Sequence, residues 1–315
     1  MPKEDEEVKK KFVLMLTAAL LAVTPISTSM VWAEETAVDA NTAAEPDVIT
    51  TDTEDYRLLN EEGTVIQGDG YSMEVNWCGE EGKRIFGRTY YPADFDASKK
   101  YTTVVLNHGK SVNCDFWDKA YAPALAKAGY VCYTFDCRSC TEGGRGSFSD
   151  SLPDGAETTV TSYSEDLNMV LDYVEAKEYV DLSKLYLFGQ SMGGMTVQNV
   201  AAQRADEIKG MVVLYGAIGD GNGSLVDGYE TLKAAPYANG EVLFILGALE
   251  GEESIQNTLS NMEWYEDTSF MLISGAAHGF GVMPDRPAEI CSQTVIDLTF
   301  WLHFIYTYWR IILIY

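Results

Sequence analysis

Lys184-Leu185-Tyr186-Leu187-Phe188 runs directly into Gly189-Gln190-Ser191-Met192-Gly193-Gly194, and a helical pattern then continues to Arg204. The first five residues are dominated by apolar and aromatic side chains, as in a strand buried on both faces. A glycine-flanked serine between a strand and a helix is the pattern of a sharp turn that lifts a serine hydroxyl clear of the sheet. Gly189 and Gly193 then have to be glycine, because a Cβ at either position would strike the neighbouring strand or helix. The plainer alternative is an ordinary strand-to-helix turn in which Ser191 only caps the helix.

Outward from this turn the same alternation repeats. Tyr71–Trp77, Arg84–Tyr91, Thr102–Leu106 and Tyr130–Phe135 precede it as strand patterns, and Gly210–Tyr215, Glu241–Leu246 and Phe270–Ile273 follow it. Helical patterns fall at Phe116–Ala128, Glu165–Ala176, Met192–Arg204 and from about Asp285 onward. Leu167, Val170, Leu171 and Val174 share one face of the second of these. Such alternation predicts an α/β protein with a doubly wound, mostly parallel sheet and helices on both faces. Its catalytic groups belong at the carboxyl ends of the strands. Residues 219–240 include five glycines and read mostly as loop, so any lid is short or absent.

A serine hydroxyl needs a base, and the chain has three histidines: His108, His278 and His303. His303 lies in the middle of a helical pattern, far from any strand end. His108 closes a strand as His108-Gly109. His278 sits in Gly275-Ala276-Ala277-His278-Gly279, a small-residue loop after the last strand, well placed to reach back to Ser191. The expected base is therefore His278. A solvent-facing loop histidine is the alternative.

Asn107-His108-Gly109, Phe135-Asp136-Cys137-Arg138, Gly189–Gly193 and Ala277-His278-Gly279, in that order and spacing, resemble the α/β-hydrolase superfamily. The likeness spans residues 71–304 and is strongest to compact esterases related to dienelactone hydrolases and to cutinase-like or cinnamoyl-type esterases. It implies a serine-dependent carboxylic-ester hydrolase. The His108-Gly109 turn would shape an oxyanion hole whose donors are the backbone N–H groups of Lys110 and Met192. The acid would be Glu250, which stands three residues after Gly247, with Glu252 and Glu253 as nearby competitors. Asp136 and Arg138 would organise a loop. Phe116 and Trp117 would either line a subsite or pack in the core. The same triad also suits a peptidase or an acyltransferase, and a non-catalytic cell-surface binding module is a further alternative.

The formal net charge of −26 opposes nucleic acid or an anionic membrane as partner. A small-molecule or acyl-ester substrate is the expected partner. No metal-ligand cluster or phosphate loop stands out in the sequence, so no metal and no cofactor are expected. Residues 1–33 read as an export signal, with Lys9-Lys10-Lys11 before an apolar run and Val31-Trp32-Ala33 at its end, which implies a secreted or extracytoplasmic protein. Residues 34–62 read as an acidic spacer, 63–304 as the folded domain and 305–315 as a hydrophobic tail suited to weak contact with a membrane surface or a partner. Export would permit disulfides among Cys78, Cys114, Cys132, Cys137, Cys140 and Cys291. Their pairing is open, and Cys137-Arg-Ser-Cys140 stands without a second such pair to make a zinc site.

Overall fold

The computed structural model describes residues 60–279, apart from 111, 120 and 139–145. The export signal, most of the acidic spacer, the helix expected from Asp285, His303, the tail, Cys140 and Cys291 lie outside the described residues. Among the described residues no helix is long and apolar enough to cross a membrane.

Among the described residues nine strands form one sheet: β1 Val65–Gly68, β2 Tyr71–Cys78, β3 Ile85–Pro92, β4 Tyr101–Asn107, β5 Val131–Phe135, β6 Val180–Gln190, β7 Gly210–Leu214, β8 Glu241–Gly247 and β9 Thr268–Ile273. Their order is β1-β2-β3-β5-β4-β6-β7-β8-β9. The first three strands form an antiparallel meander joined antiparallel to β5. From β5 to β9 every pairing is parallel. The helices are α1 Asp115–Asp118, α2 Tyr121–Lys127, α3 Val160–Glu175, α4 Met192–Gln203, α5 Tyr229–Ala234 and α6 Glu252–Met262.

Successive residues of the central strands divide between two cores, as period-two side-chain direction requires. Val104, Leu106, Phe188, Val212 and Leu214 pack on one face with Phe116, Trp117 and Tyr121 of α1 and α2. Val105, Leu185, Leu187, Met211 and Val213 pack on the other with α3 and α4. The expected stripe of α3 is in place: Leu167, Val170, Leu171 and Val174 are all buried. Each such side chain contributes about 1.5–3 kcal/mol by leaving water. Phe116 and Trp117 are core residues, 4% and 0% exposed, and line no subsite.

Several boundaries differ from the sequence reading. The Phe116–Ala128 helix is two short helices. Helix α3 starts at Val160, five residues before Glu165, because Thr159 and Ser162 cap it reciprocally: each hydroxyl accepts from the other residue's N–H. The 219–240 stretch carries a 3-10 turn at Gly223–Leu225 and the short helix α5. Residues 60–62 of the supposed spacer belong to the fold, since the Trp77 indole donates to Asn60 O at 2.9 Å and Gly63 N–H donates to Val75 O. Cys78 and Cys132 are buried thiols outside any disulfide.

Chain order places the site. From β4 the chain moves to β5 on one side, then crosses back to lay β6 on the other, so β4 and β6 flank the point where winding reverses. Ligand crevices in open α/β sheets form beyond the carboxyl ends of strands at such points. Here those ends are Asn107 and Gly189, which are directly paired, followed by His108-Gly109 and by Ser191.

Candidate active site

Ser191 has φ +52° and ψ −123°, a strained conformation that side chains rarely adopt. The tight turn is forced by close packing. A Cβ on Gly189 would lie 2.2 Å from Gly193 O, and one on Gly193 would lie 2.3 Å from Asn107 O. The Ser191 N–H donates to Leu214 O of β7 at 2.9 Å, which fixes the turn to the next strand.

Glu250 meets the site from two strands away, after β8, and His278 from three, after β9. His278 Nε2 lies 3.1 Å from Ser191 Oγ, and His278 Nδ1 lies 2.8 Å from Glu250 Oε2. The other Glu250 oxygen, Oε1, accepts the Gly247 N–H at 3.1 Å. The carboxylate therefore has a donor on each oxygen, as a side chain only 6% exposed requires; the His278 side chain is 56% exposed. Glu250 ends a 3-10 turn after β8, and Glu252 and Glu253 are exposed in the first turn of α6. The carboxylate that reaches the histidine is thus Glu250, and the two competitors face solvent. Leu249 N–H donates to Ala276 O at 2.7 Å, which ties the turn holding Glu250 to the loop holding His278. The Tyr215 ring packs edge-on against the His278 ring, centroids 4.7 Å apart, and supports it from β7.

His108 is fully buried and serves the backbone. Its Nε2 accepts the Cys137 N–H at 2.9 Å, so the ring proton sits on Nδ1 and is donated to Gly109 O at 2.7 Å. Tyr163 Oη donates to the same carbonyl at 3.3 Å, with its ring edge-on to His108. Two donors thus fix the Gly109 carbonyl. In a trans peptide the next N–H points the opposite way, so Lys110 N–H faces away from His108 and Tyr163. Gly109 itself lies against Ser191, since a Cβ there would be 2.9 Å from the serine Cβ. Met192 opens α4, and its N–H is one of the helix's unsatisfied donors.

Asp136 and Arg138 organise the loop after β5. Asp136 accepts the Cys114 and Phe148 N–H groups, and Arg138 donates its backbone N–H and Nε to Asp166 at 2.7 and 2.6 Å. Burial pushes the Asp166 carboxyl up to about 6, against the pull of Arg138. A second acidic group, Cys114, Asp115 and Asp118, gathers its donor atoms within 4.8 Å of one another. The Arg88 guanidinium already sits among them: it pairs with Asp118, lies 2.9 Å from Asp115 and reaches Cys114 Sγ at 3.7 Å. This cluster is a buried ion pair, not a vacant metal site.

A cavity of about 170 Å³ opens beside Ser191 and His278. Its lining includes Asn222, Ser254, Asn257 and Thr258. Three of these four belong to α6, a helix the sequence reading missed. Gly251, the acidic pair Glu252-Glu253 and the spacing of Ile255, Leu259 and Met262 were the signals available for it.

Comparison with known proteins agrees with this architecture. Residues 102–238 match the family model described as alpha/beta hydrolase fold. The chain is similar to dipeptidyl-peptidase 5 of Schizosaccharomyces pombe, 29% identical over 153 residues that make up 47% of this chain and 22% of that protein, so it spans well under half of that relative's length. In structure it is similar to Est1E of Butyrivibrio proteoclasticus with ferulic acid bound, with a TM-score of 0.57 at 16% identity, covering 72% of this chain and 98% of that one. A putative dienelactone hydrolase from Klebsiella pneumoniae gives a TM-score of 0.57 at 13% identity over 75% of this chain and 99% of the other. The nine-stranded, mostly parallel sheet of the described residues, with helices on both faces and the family match across its centre, gives this chain the α/β-hydrolase fold.

Proposed function

We propose that the protein is a serine hydrolase that cleaves carboxylic esters through an acyl-enzyme intermediate. The observation that carries this reading is the hydrogen-bonded chain Glu250–His278–Ser191, ending on a serine in a strained turn. Glu250 accepts from His278 Nδ1, which leaves the Nε2 lone pair facing Ser191 Oγ, the tautomer a general base needs. Ser191 Oγ attacks the ester carbonyl while His278 takes its proton. The negative charge on the former carbonyl oxygen is met by Lys110 N–H and Met192 N–H. His278 then protonates the leaving alcohol. Water, deprotonated by the same nitrogen, releases the acid and restores Ser191.

The likeness to a dipeptidyl-peptidase favours a second reading, in which the same groups cleave an amide. Export, read from residues 1–33, would place either activity outside the cytoplasm. A fluorophosphonate probe tests the core of the proposal. Labelling of the wild type that disappears in Ser191→Ala supports it, and folded wild type that takes no label overturns it in favour of a binding module. Initial rates on p-nitrophenyl esters run beside aminoacyl anilides then separate esterase from peptidase.

A further inference from the structure

The cavity beside Ser191 is small, and its lining sets the polar side chains Asn222, Ser254, Asn257 and Thr258 beside Met195 and Leu246. At about 170 Å³ it falls below the roughly 300–1,000 Å³ of pockets that enclose drug-sized ligands. Asn222 is committed to the backbone: its Oδ1 accepts the Gly219 N–H and its Nδ2 donates to Ala217 O, both at 2.8 Å. Thr258 donates its hydroxyl to Ser254 O at 2.9 Å. Asn257 Nδ2 donates to Ala217 O at 3.4 Å, and its Oδ1 packs beside Gly219, where a Cβ would come within 1.7 Å of it. Ser254 Oγ and Asn257 Oδ1 have no protein partner among the described residues. They stand three residues apart on α6, hence on one face of that helix. This wall of the cavity thus offers a hydroxyl, able to donate and accept, beside a carbonyl acceptor.

We infer that this wall is a subsite for a short, hydroxyl-bearing substituent of the ester, recognised by Ser254 and Asn257, and that it disfavours long hydrocarbon chains. The inference rests on the serine-hydrolase reading above. A hydrocarbon placed here would strip water from both groups and give no hydrogen bond in return, whereas a substrate hydroxyl can donate to Asn257 Oδ1 and accept from Ser254 Oγ. The cavity's limited volume acts in the same direction against long chains.

Two substrate series test this and show which side of the ester occupies the wall. In the first the acyl group varies: p-nitrophenyl butyrate, 3-hydroxybutyrate and octanoate. In the second the alcohol varies: ethyl butyrate against 2-hydroxyethyl butyrate, followed by proton release. The expected result is a kcat/KM at least about tenfold higher for the hydroxylated member of one series, with octanoate at least about tenfold below butyrate. In Ser254→Ala and, separately, Asn257→Leu, the ratio of hydroxylated to plain substrate falls toward one. Fluorophosphonate labelling of Ser191 in each variant reports that the triad is assembled. A hydroxylated substrate no better than its parent in both series overturns the inference, as does a preference that survives in both variants. Failure of the wild type to take the fluorophosphonate instead overturns the serine-hydrolase reading itself, so the two failures are told apart.

Discussion

Replacing Glu250 by glutamine leaves shape and packing almost unchanged but reverses a proton. Each oxygen of the native carboxylate has one donor, Gly247 N–H on Oε1 and His278 Nδ1–H on Oε2. A glutamine has a single oxygen, and the Gly247 N–H claims it, since an amide NH2 turned toward that backbone donor would meet hydrogen with hydrogen. The NH2 is then forced toward His278 Nδ1, which must accept. The imidazole proton moves to Nε2, and the nitrogen 3.1 Å from Ser191 Oγ loses the lone pair it needs to take the serine proton. An acid-to-amide change that traps the wrong tautomer in a catalytic triad costs about 10⁴ in kcat, which is about 5.5 kcal/mol of barrier. The expected outcome for Glu250→Gln is therefore a kcat on p-nitrophenyl butyrate about 10⁴-fold below wild type, with KM and melting temperature little changed. The assay is steady-state hydrolysis with active sites counted by fluorophosphonate. A Glu250→Gln enzyme within tenfold of wild type would refute the assignment of Glu250 as the group that sets the histidine tautomer.

Other consequences are equally concrete. Gly189→Ala puts a methyl 2.2 Å from a backbone oxygen, so a loss of at least about 4 kcal/mol is expected; a thermal melt should show a drop of roughly 8 °C or more, and a melting point within 2 °C of wild type would contradict the packing argument. Tyr163→Phe removes one of the two donors on Gly109 O and loosens the peptide carrying Lys110 N–H; about 1 kcal/mol of lost hydrogen bonding is roughly fivefold in kcat. In that variant KM should hold, and a KM rise at constant kcat would place Tyr163 in substrate binding instead. Burial pushes the Cys78 thiol up to about 12 and raises Cys132 as well. Neither should react with an aromatic disulfide reagent at pH 8 until the protein unfolds, as peptide mapping by mass can check; modification of either in the native state would show that its strand opens.

The sheet and two of the site's three side chains were legible in the sequence because their signals are local or exclusive. A strand running into Gly-x-Ser-x-Gly can be read within eleven residues, and three histidines leave few candidates for a base. Glu250 was harder: three glutamates stand within four positions, and only the 3-10 turn after β8, with the Gly247 N–H on Oε1, decides among them. Helix α6 escaped notice because its buried positions include Thr258 and Asn261, polar residues that each bond a backbone group, so its apolar periodicity is faint. The early start of α3 was hidden for a related reason. Thr159, Ser162 and Ser164 look like loop residues in sequence, yet they cap the helix or bond back into its first turn. The role of Tyr163 could not be read at all, because its partner carbonyl at Gly109 is 54 positions away.

The bond from Leu249 N–H to Ala276 O has a mechanical consequence. It splices the loops after β8 and β9 into one body, so acid and base shift together as a pair. The nucleophile stands between β6 and α4, with its N–H held by Leu214 O of β7. A change in the sheet's twist is therefore expected to open the gap between oxygen and imidazole before it disturbs the carboxylate–imidazole contact.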